Sequence, residues 1–591
     1  MVEMKMSWWW PGEHFLLKPQ TRFPVHSGPS QYIMPYRQQK RLLLDIFTSS
    51  ALDLNNMRFI HMRHWRCKIL EALITEEMKE NIVKATPKIQ LGGMPKTSSV
   101  EHLVVLKTWM MNKETKKEAG VFQTFDMSKF FDKESLVDCM YALNKKAKID
   151  NKSYRLWYKI NANTRISVKT SVGDSNFQSI YDSIGQGQNA AALVSSMNIG
   201  CAMEDTFENK ASSRIGRVNL CTVIFQDDIG KFNDNVQEAR EGTKQIDNTL
   251  KRKLLSVNYD KSKYLLFGTS KQKKAMKKNI QKDPIVMGGT PLECTSSEKY
   301  LGDLISDQGC EQSITDTIAE RTRKLISKAE EIIQIAEHPW MASVGNALPA
   351  FKLFEAMIIP ALLHNCESWI GINQKHYDKL QKFQDNFIRK VLHLHVSTPK
   401  AILQWDVGMM PMKWRIIQKK LLFVRKVMHE KSITSLVKRV IYQEFSHGIN
   451  GLGKECMRAS WDLGLDNVVL YDTEPWVIKS KIAQRVKEEA KEAMLNSPKV
   501  ADRVTENEED NTYINHLSLQ WCRIWIRYRA RAIKGVKINF KNSFRDYLRC
   551  RLCTANVNES QEHLEKCEVT AFERRGLRRL GVGYWRNVLL F

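Results

Sequence analysis

Leu220-Cys-Thr-Val-Ile-Phe225-Gln226-Asp227-Asp228-Ile229 decides how this chain is read. An apolar, β-branched run ends abruptly in two adjacent carboxylates. Such a run predicts a buried strand, and paired acids at its tip are costly to fold unless a cation neutralises them. A divalent metal does so, since hard carboxylate oxygens are its preferred ligands. Alone, an Asp-Asp pair is also a common turn feature. A second acidic strand end stands upstream, in Val121-Phe-Gln-Thr-Phe125-Asp126, and Met-Ser-Lys-Phe130-Phe131-Asp132 then leads into a helix-like segment over 133–143. Two metals about 3.5–4 Å apart activate an attacking hydroxyl and stabilise the leaving oxygen in phosphoryl transfer. Asp126, Asp227 and Asp228 suffice to hold such a pair. Asp is equally a good N-cap ahead of a helix, so a capping role stays open for these acids.

Around these acids the chain resembles a family. Phe125-Asp126-Met-Ser-Lys-Phe-Phe131-Asp132 is similar to the first catalytic motif of reverse transcriptases, and Phe225-Gln226-Asp227-Asp228 to their paired-aspartate motif. Asn258-Tyr-Asp-Lys261-Ser-Lys263 resembles the segment that follows, and Lys299-Tyr-Leu-Gly302 the hairpin leading to the thumb. Gln90-Leu-Gly92-Gly-Met94-Pro95-Lys-Thr-Ser98-Ser-Val-Glu101 is similar to the fingers motif, and Arg58-Phe-Ile60 with Lys68-Ile-Leu-Glu71 to the strand and helix before it. The segments follow in the family's order, and the nearest likeness is to non-LTR, LINE-type retrotransposon enzymes. Three positions depart from the pattern. Ser183-Ile-Gly-Gln186-Gly187-Gln keeps the Gln-Gly pair without the usual Ser-Pro after it, Met94 stands where arginine is frequent, and Gln226 where a small residue is commoner.

The resemblance implies an RNA-directed DNA polymerase that takes an RNA template, a DNA primer and deoxynucleoside triphosphates. It implies an α+β fold, a right-hand polymerase of fingers and palm with a helical thumb and a small C-terminal zinc-knuckle-like module. Two catalytic Mg²⁺ ions are implied, bridged by Asp126 and Asp227 with Asp228 in or beside their shell. Arg58 and Lys68 become candidates for the triphosphate, Arg58 being the better match. Gln186 and Gly187 would line the nucleotide and template site. Lys261 is the candidate proton donor to pyrophosphate, in competition with Lys263. Phe131 matches the steric gate that excludes a ribose 2′-hydroxyl, or is a core aromatic beside Phe130.

Composition agrees with a polyanionic partner. The 591 residues carry 91 Lys and Arg against 65 Asp and Glu, a net charge of +26, and each phosphate neutralised by such a surface releases counterions. Ribosomal or membrane-surface binding fits the same charge. With 43% apolar residues the chain can bury real cores. No run approaches the roughly 20 apolar residues of a membrane span, and residues 1–10 lack signal-peptide architecture. Twelve scattered cysteines fit a reducing compartment. The expectation is an intracellular protein, nuclear or cytoplasmic, not secreted.

Five regions are expected: 1–50, of unknown role; 51–310, fingers and palm; 311–440, a helical thumb; 441–519, a linker or helical region; and 520–591, a basic segment with a zinc motif. In the thumb, Ile314, Ile318, Arg321, Leu325, Ala329, Ile332 and Ile335 recur near helix spacing, and Pro360 should end or kink a second helix. Residues 1–50 are too few for the endonuclease that many LINE-type proteins carry there, and the 24 residues after Cys567 too few for the nuclease of other lineages, so nicking activity is expected from elsewhere, or the chain is a fragment.

In the tail, Cys550-x2-Cys553-x9-His563-x3-Cys567 offers four ligands for one structural Zn²⁺. Ordinary core cysteines beside a surface histidine are the plain alternative. Just ahead, ten Lys and Arg over 523–551 face one acid, Asp546. Arg523, Trp525, Arg527, Arg529 and Arg531 open this stretch as candidates for RNA or single-stranded DNA, cations tracking phosphates while aromatic faces stack on bases. A solvated basic helix is the alternative. Two further readings of the whole chain stand beside polymerisation. One is a domesticated or decayed retroelement protein that binds RNA or single-stranded DNA without polymerising. The other is a structural RNA-processing factor on a polymerase-like fold.

Overall fold

The computed structural model describes residues 30–36, 58–338, 346–465, 473–501 and 517–530 together with Ile514 and His563, leaving out 163, 171–172, 181–182, 186, 208–209 and 433. In the first sheet, β1 (Ser30–Tyr36) lies between two strands. It runs antiparallel to β2 (Arg58–Arg63), with Gln31 opposite Arg63, and parallel to β4 (Thr164–Thr170), with Ser30 opposite Arg165. The boundary expected at residue 50 is therefore crossed, since β1 joins strands assigned to the fingers. Beside this sheet, α1 (Trp65–Ala85), α3 (Leu136–Lys145), α4 (Asn151–Asn161) and α5 (Ala191–Phe207) close around Ile74, Met78, Leu143, Trp157, Val194 and Met197.

The second sheet has the order β8–β7–β3–β6–β5, built from β3 (Gly120–Phe125), β5 (Thr222–Phe225), β6 (Asp228–Asn233), β7 (Lys263–Phe267) and β8 (Glu293–Cys294). All six residues of β3 are buried because both faces of the sheet are covered. Phe122, Val223, Phe232 and Leu265 pack with Trp109 of α2 (Ser99–Lys116). Val121, Phe125, Ile224 and Ile229 pack with α5 and with α6 (Val236–Arg252). A strand covered on both sides reads as a continuous apolar run rather than as an alternation, as both acidic strands do.

A hairpin of β9 (Ser297–Tyr300) and β10 (Asp303–Ser306) feeds α8 (Cys310–Glu337), whose Ile314, Ile318, Arg321, Leu325, Ala329 and Ile332 are buried as expected. Ile335 is not: it is 53% exposed, and Ala336 takes the next inward place, because a 3.6-residue period carries the stripe on from Ile332 by four residues. The helix α9 (Leu348–Leu353) widens into a π-helical turn over Phe354–Ile358 and resumes as Ile359–Leu362. Pro360 lacks an N–H and its ring crowds the carbonyl four residues back, so the wider turn lets the helix continue rather than end.

The remaining helices are α10 (Gln374–Val391), α11 (Lys400–Val407), α12 (Met412–Glu430), α13 (Leu436–His447), α14 (Leu452–Asp462), α15 (Pro475–Leu495) and α16 (Leu519–Arg529). Residues of α8, α10, α12 and α16 share one core, including Ile318, Phe387, Ile416 and Ile526. Where described, residues 441–519 hold the end of α13 with α14 and α15, which join the core under the second sheet. Val424, Val440, Leu452 and Ile482 belong to the same core as Trp109 and Phe122. Among the described residues no helix is long and apolar enough to cross a membrane.

Two buried polar joints tie these layers. Asp303, wholly buried, meets Lys107 of α2 at 2.5 Å and Arg321 of α8 at 2.6 Å. Glu444 of α13 accepts from the Thr108 hydroxyl at 2.8 Å and from the Gly453 N–H at 2.5 Å. Removing one partner from a buried ion cluster leaves uncompensated charge, which costs about 3–5 kcal/mol. Asp303→Ala should lower the unfolding free energy in urea by that amount; a loss below about 1 kcal/mol would sink the joint as a stabilising element. Burial pushes the Glu444 carboxyl from 4.5 up to about 7. The folded state therefore holds its proton more tightly than the unfolded chain does. Its contribution is full below pH 4.5 and is lost as pH rises through 7. Glu444→Gln should gain on the wild type between those limits by about 3 kcal/mol at most, at 1.36 kcal/mol per unit, and equal pH profiles for the two proteins would refute the shift.

Candidate active site

Three half-buried carboxylates stand at one end of the second sheet. β3 ends at Phe125 and hands the chain to Asp126. β5 and β6 pair with Asp228 opposite Phe225, so Gln226 and Asp227 form the two-residue turn between them. Gln226 carries the positive φ, +58°, that such tight hairpin turns require. β3 and β6 pair with Ile229 opposite Phe125. One further step of that ladder sets Asp126 beside Asp228, and residues opposed in this way share a face, about 5 Å apart. Tyr300, from the hairpin ahead of the thumb, reaches the same strand; a Cβ on Gly230 would stand 2.7 Å from its hydroxyl.

Behind Asp126 the 258–263 segment makes the turn that holds it. The Asn258 N–H donates to the Asp126 carbonyl at 2.8 Å, and the Asp126 N–H donates to the Ser262 hydroxyl at 3.2 Å. Ser262 in turn donates to the Asn258 carbonyl at 2.8 Å. This brings the Lys261 ammonium to 3.9 Å from the Asp126 carboxylate, its side chain 63% exposed. Lys263, the competing lysine, points elsewhere, to Glu293 at 3.3 Å and Glu298 at 3.8 Å.

The donor set fits a hard divalent cation in chemistry and in strand register, since carboxylate oxygens are what Mg²⁺ prefers. Among the described residues no three His, Cys, Asp or Glu side chains converge closely enough to hold a metal.

The other candidates fall around this end or away from it. Phe130 is the core ring, 3% exposed, while Phe131 is half-buried, its ring 5.2 Å from that of Phe130. Gly187 is exposed with φ +100°, and two residues on the Asn189 amide donates to the Lys68 carbonyl at 3.1 Å, which brings the start of α1 to the Gln-Gly loop. Lys68 itself is exposed there. Arg58 opens β2 opposite Tyr36. Gln186 lies outside the described residues.

The basic tail helix α16 packs on the thumb. Trp525 and Ile526 join the thumb core, and Arg523 donates to the Val391 carbonyl at 2.9 Å and Arg527 to that of His393 at 2.8 Å. Desolvation lowers the pKa of both guanidinium groups. Arg529 is buried in a two-point pair with Asp406, at 2.8 and 3.1 Å, which withdraws it from a phosphate backbone. A basic, aromatic run therefore contributes packing as well as charge. Arg531, Cys550, Cys553 and Cys567 lie outside the described residues, and of the proposed zinc ligands only His563 lies within them, half-buried. Asp303, Lys107 and Glu444 give no signal in the sequence, because each acts through partners far away in the chain.

A family model, Reverse transcriptase (RNA-dependent DNA polymerase), matches residues 48–302. No curated protein matches the chain. Among solved structures, the telomerase of Candida albicans in complex with a TWJ fragment of telomeric RNA is 10% identical at TM-score 0.34, covering 70% of this chain and 64% of that one. Apo telomerase of Candida tropicalis is 10% identical at TM-score 0.40, covering 78% of this chain and 71% of that one. The chain thus spans less than two thirds of the first of these, and at such scores neither likeness bears on activity or partners. Both acidic strand ends lie inside the matched segment, so residues 48–302 are similar to the reverse transcriptase domain of RNA-dependent DNA polymerases.

Proposed function

We propose that this protein is an RNA-directed DNA polymerase of non-LTR retrotransposon descent, extending a DNA primer on an RNA template with deoxynucleoside triphosphates. The observation that carries the reading is the register of β3 and β6, which sets Asp126 beside Asp228 with Asp227 at the adjoining turn. Asp126, Asp227 and Asp228 would hold two Mg²⁺ ions. Bound there, the ions supply Lewis acidity to the primer 3′-hydroxyl and to the leaving pyrophosphate oxygen.

The chain's own residues do the rest. Lys261 is exposed beside Asp126 and can give its proton to the departing pyrophosphate, whereas Lys263 is engaged by two glutamates. Phe131, half-buried next to a fully packed Phe130, offers the volume that would exclude a 2′-hydroxyl. Arg58, Lys68, Gln186 and Gly187 would receive the triphosphate and the templating base. The tail contributes one structural Zn²⁺ through Cys550, Cys553, His563 and Cys567, and nucleic-acid affinity through the cations of its basic run. The site of action in this reading is the nucleus or cytoplasm.

Primer extension on poly(rA)/oligo(dT) with Mg²⁺ tests the assignment. Asp126→Asn and Asp227→Asn should each lower kcat by about a thousandfold, the several kcal/mol a metal supplies to the transition state, while RNA affinity stays unchanged. Wild-type extension by either variant would show the carboxylates to be misassigned, and intact RNA binding with no extension by the wild type would favour the non-polymerising reading. Phe131→Ala should raise ribonucleotide over deoxyribonucleotide incorporation by on the order of tenfold or more, because the gate works by occupied volume. Unchanged sugar discrimination in a folded variant would return Phe131 to the core.

A further inference from the structure

We propose that Gln90 is a positioning residue for the catalytic turn, acting through the backbone of Gln226 to fix where Asp227 presents its carboxylate. The inference rests on reading Asp227 as a metal ligand. Gln90 lies in the loop between α1 and α2 and is 1% exposed. Its Oε1 accepts the N–H of Gln226 at 3.0 Å and the N–H of Gly92 at 2.8 Å, and its Nε2 donates to the Gln226 carbonyl at 3.2 Å. One side-chain amide thus engages both backbone groups of the residue that precedes Asp227.

Two N–H donors converging on one atom require that atom to be the oxygen, so the amide has a single orientation. No other side chain of this length does the same. Glutamate cannot donate to the Gln226 carbonyl when ionised, and would bury a charge beside carboxylates. Methionine fills the space without either bond. Asparagine keeps the amide but falls one methylene short.

The surrounding backbone supports the clasp. The 89–92 segment runs along β5, with the Ile224 N–H donating to the Ile89 carbonyl at 2.8 Å and the Leu91 N–H to the Ile224 carbonyl at 2.9 Å. Gly92 then passes so close under the turn that a Cβ there would stand 2.0 Å from the Gln226 nitrogen. β6 and β3 hold the turn from one side, and this loop holds it from the other. Gln226 occupies the left-handed region that a non-glycine residue leaves readily. Without the clasp the turn relaxes toward ordinary φ and carries Asp227 with it. A displacement of about 1 Å at a reacting centre costs on the order of a hundredfold in rate.

The test uses the full chain on a template–primer duplex. Gln90→Met should lower kcat about a hundredfold while the KM for deoxynucleotide moves by less than about threefold. Without nucleotide and so without turnover, Mn²⁺ binding followed by EPR should weaken about tenfold, since one carboxylate ligand is misplaced. Adding Gln226→Gly to that variant lets residue 226 keep positive φ unaided, and should recover both kcat and Mn²⁺ binding by several-fold. Wild-type Mn²⁺ binding in Gln90→Met, or a loss of activity that the second substitution does not recover, overturns the inference. Should Gln90→Met fail to fold, Gln90→Asn keeps a buried amide but withdraws it from Gln226 by one methylene and must show the same weakened Mn²⁺ binding; wild-type binding there also overturns it. Asp227→Asn run alongside separates the two levels. If it binds Mn²⁺ and extends primer like the wild type, the metal-ligand reading fails; if it does neither while Gln90→Met is normal, only the clasp fails.

Discussion

Everything at the acidic end of the palm depends on the register of β3 against β6. A slip of one residue would turn Asp126 to the other face of the sheet and separate it from Asp228. Two features oppose that slip. The faces of β3 differ in their partners, Phe122 meeting Trp109 and Tyr300 on one side while Val121 and Phe125 meet α5 and α6 on the other. A buried polar chain then runs across the sheet. The Asn233 amide donates to the Val121 carbonyl at 3.2 Å and to Gln123 at 3.0 Å, and Gln123 donates to Thr243 of α6 at 2.7 Å. Slipping the strand would strand these buried groups without partners, at about 1–3 kcal/mol each.

The turn that carries Asp227 faces the opposite problem, a conformation that is locally unfavourable. A non-glycine residue in the left-handed region is disfavoured by roughly 1–2 kcal/mol, and Gln226 is one. Hydrogen bonds of the kind Gln90 makes contribute about 0.5–1.5 kcal/mol each, so the two that reach Gln226 offset the strain with little to spare. Such a turn is held by its neighbours rather than by its own sequence, as strained residues at functional sites generally are. Asp303 joins the β9–β10 hairpin to α2 and α8 through buried cations, and so links the long helix α8 to the same helix that supports β3.

What could be read from the chain follows from the range of the interactions. The strands ending at Asp126 and Asp227 were legible because burial on both faces leaves a continuous apolar run. The long thumb helix was legible because its buried stripe repeats every few residues, and only Ile335, near its end, was misplaced. The first strand, the placement of 436–495 against α2, and the π-helical turn before Pro360 were not. Each depends on partners distant in the chain, or on how a helix relaxes around a missing N–H. The roles of Gln90 and Asp303 carry no local signature either, although Gln90 opens a recognisable motif and Asp303 begins the second strand of a hairpin. Their roles exist only once Gln226 or Lys107 has been brought alongside.

Net charge needs the same correction before it speaks of a partner. Lys107 and Arg321 are buried against Asp303, Lys420 is buried against Glu455 at 2.7 Å, and Arg529 is buried against Asp406. These four cations count among the 91 Lys and Arg yet meet little solvent, and their three acid partners cancel all but one of their charges. Only an exposed cation can neutralise a phosphate and release its counterion. The surplus that can do so lies where no acid accompanies the lysines. On the helix Ser270–Lys282, Lys271, Lys274, Lys278 and Lys282 face solvent opposite the buried Met276. In the run that begins at α16, by contrast, the first arginines are already engaged by the thumb. The distribution of charge over the fold, more than its total, therefore decides which surfaces of this protein a nucleic acid can meet.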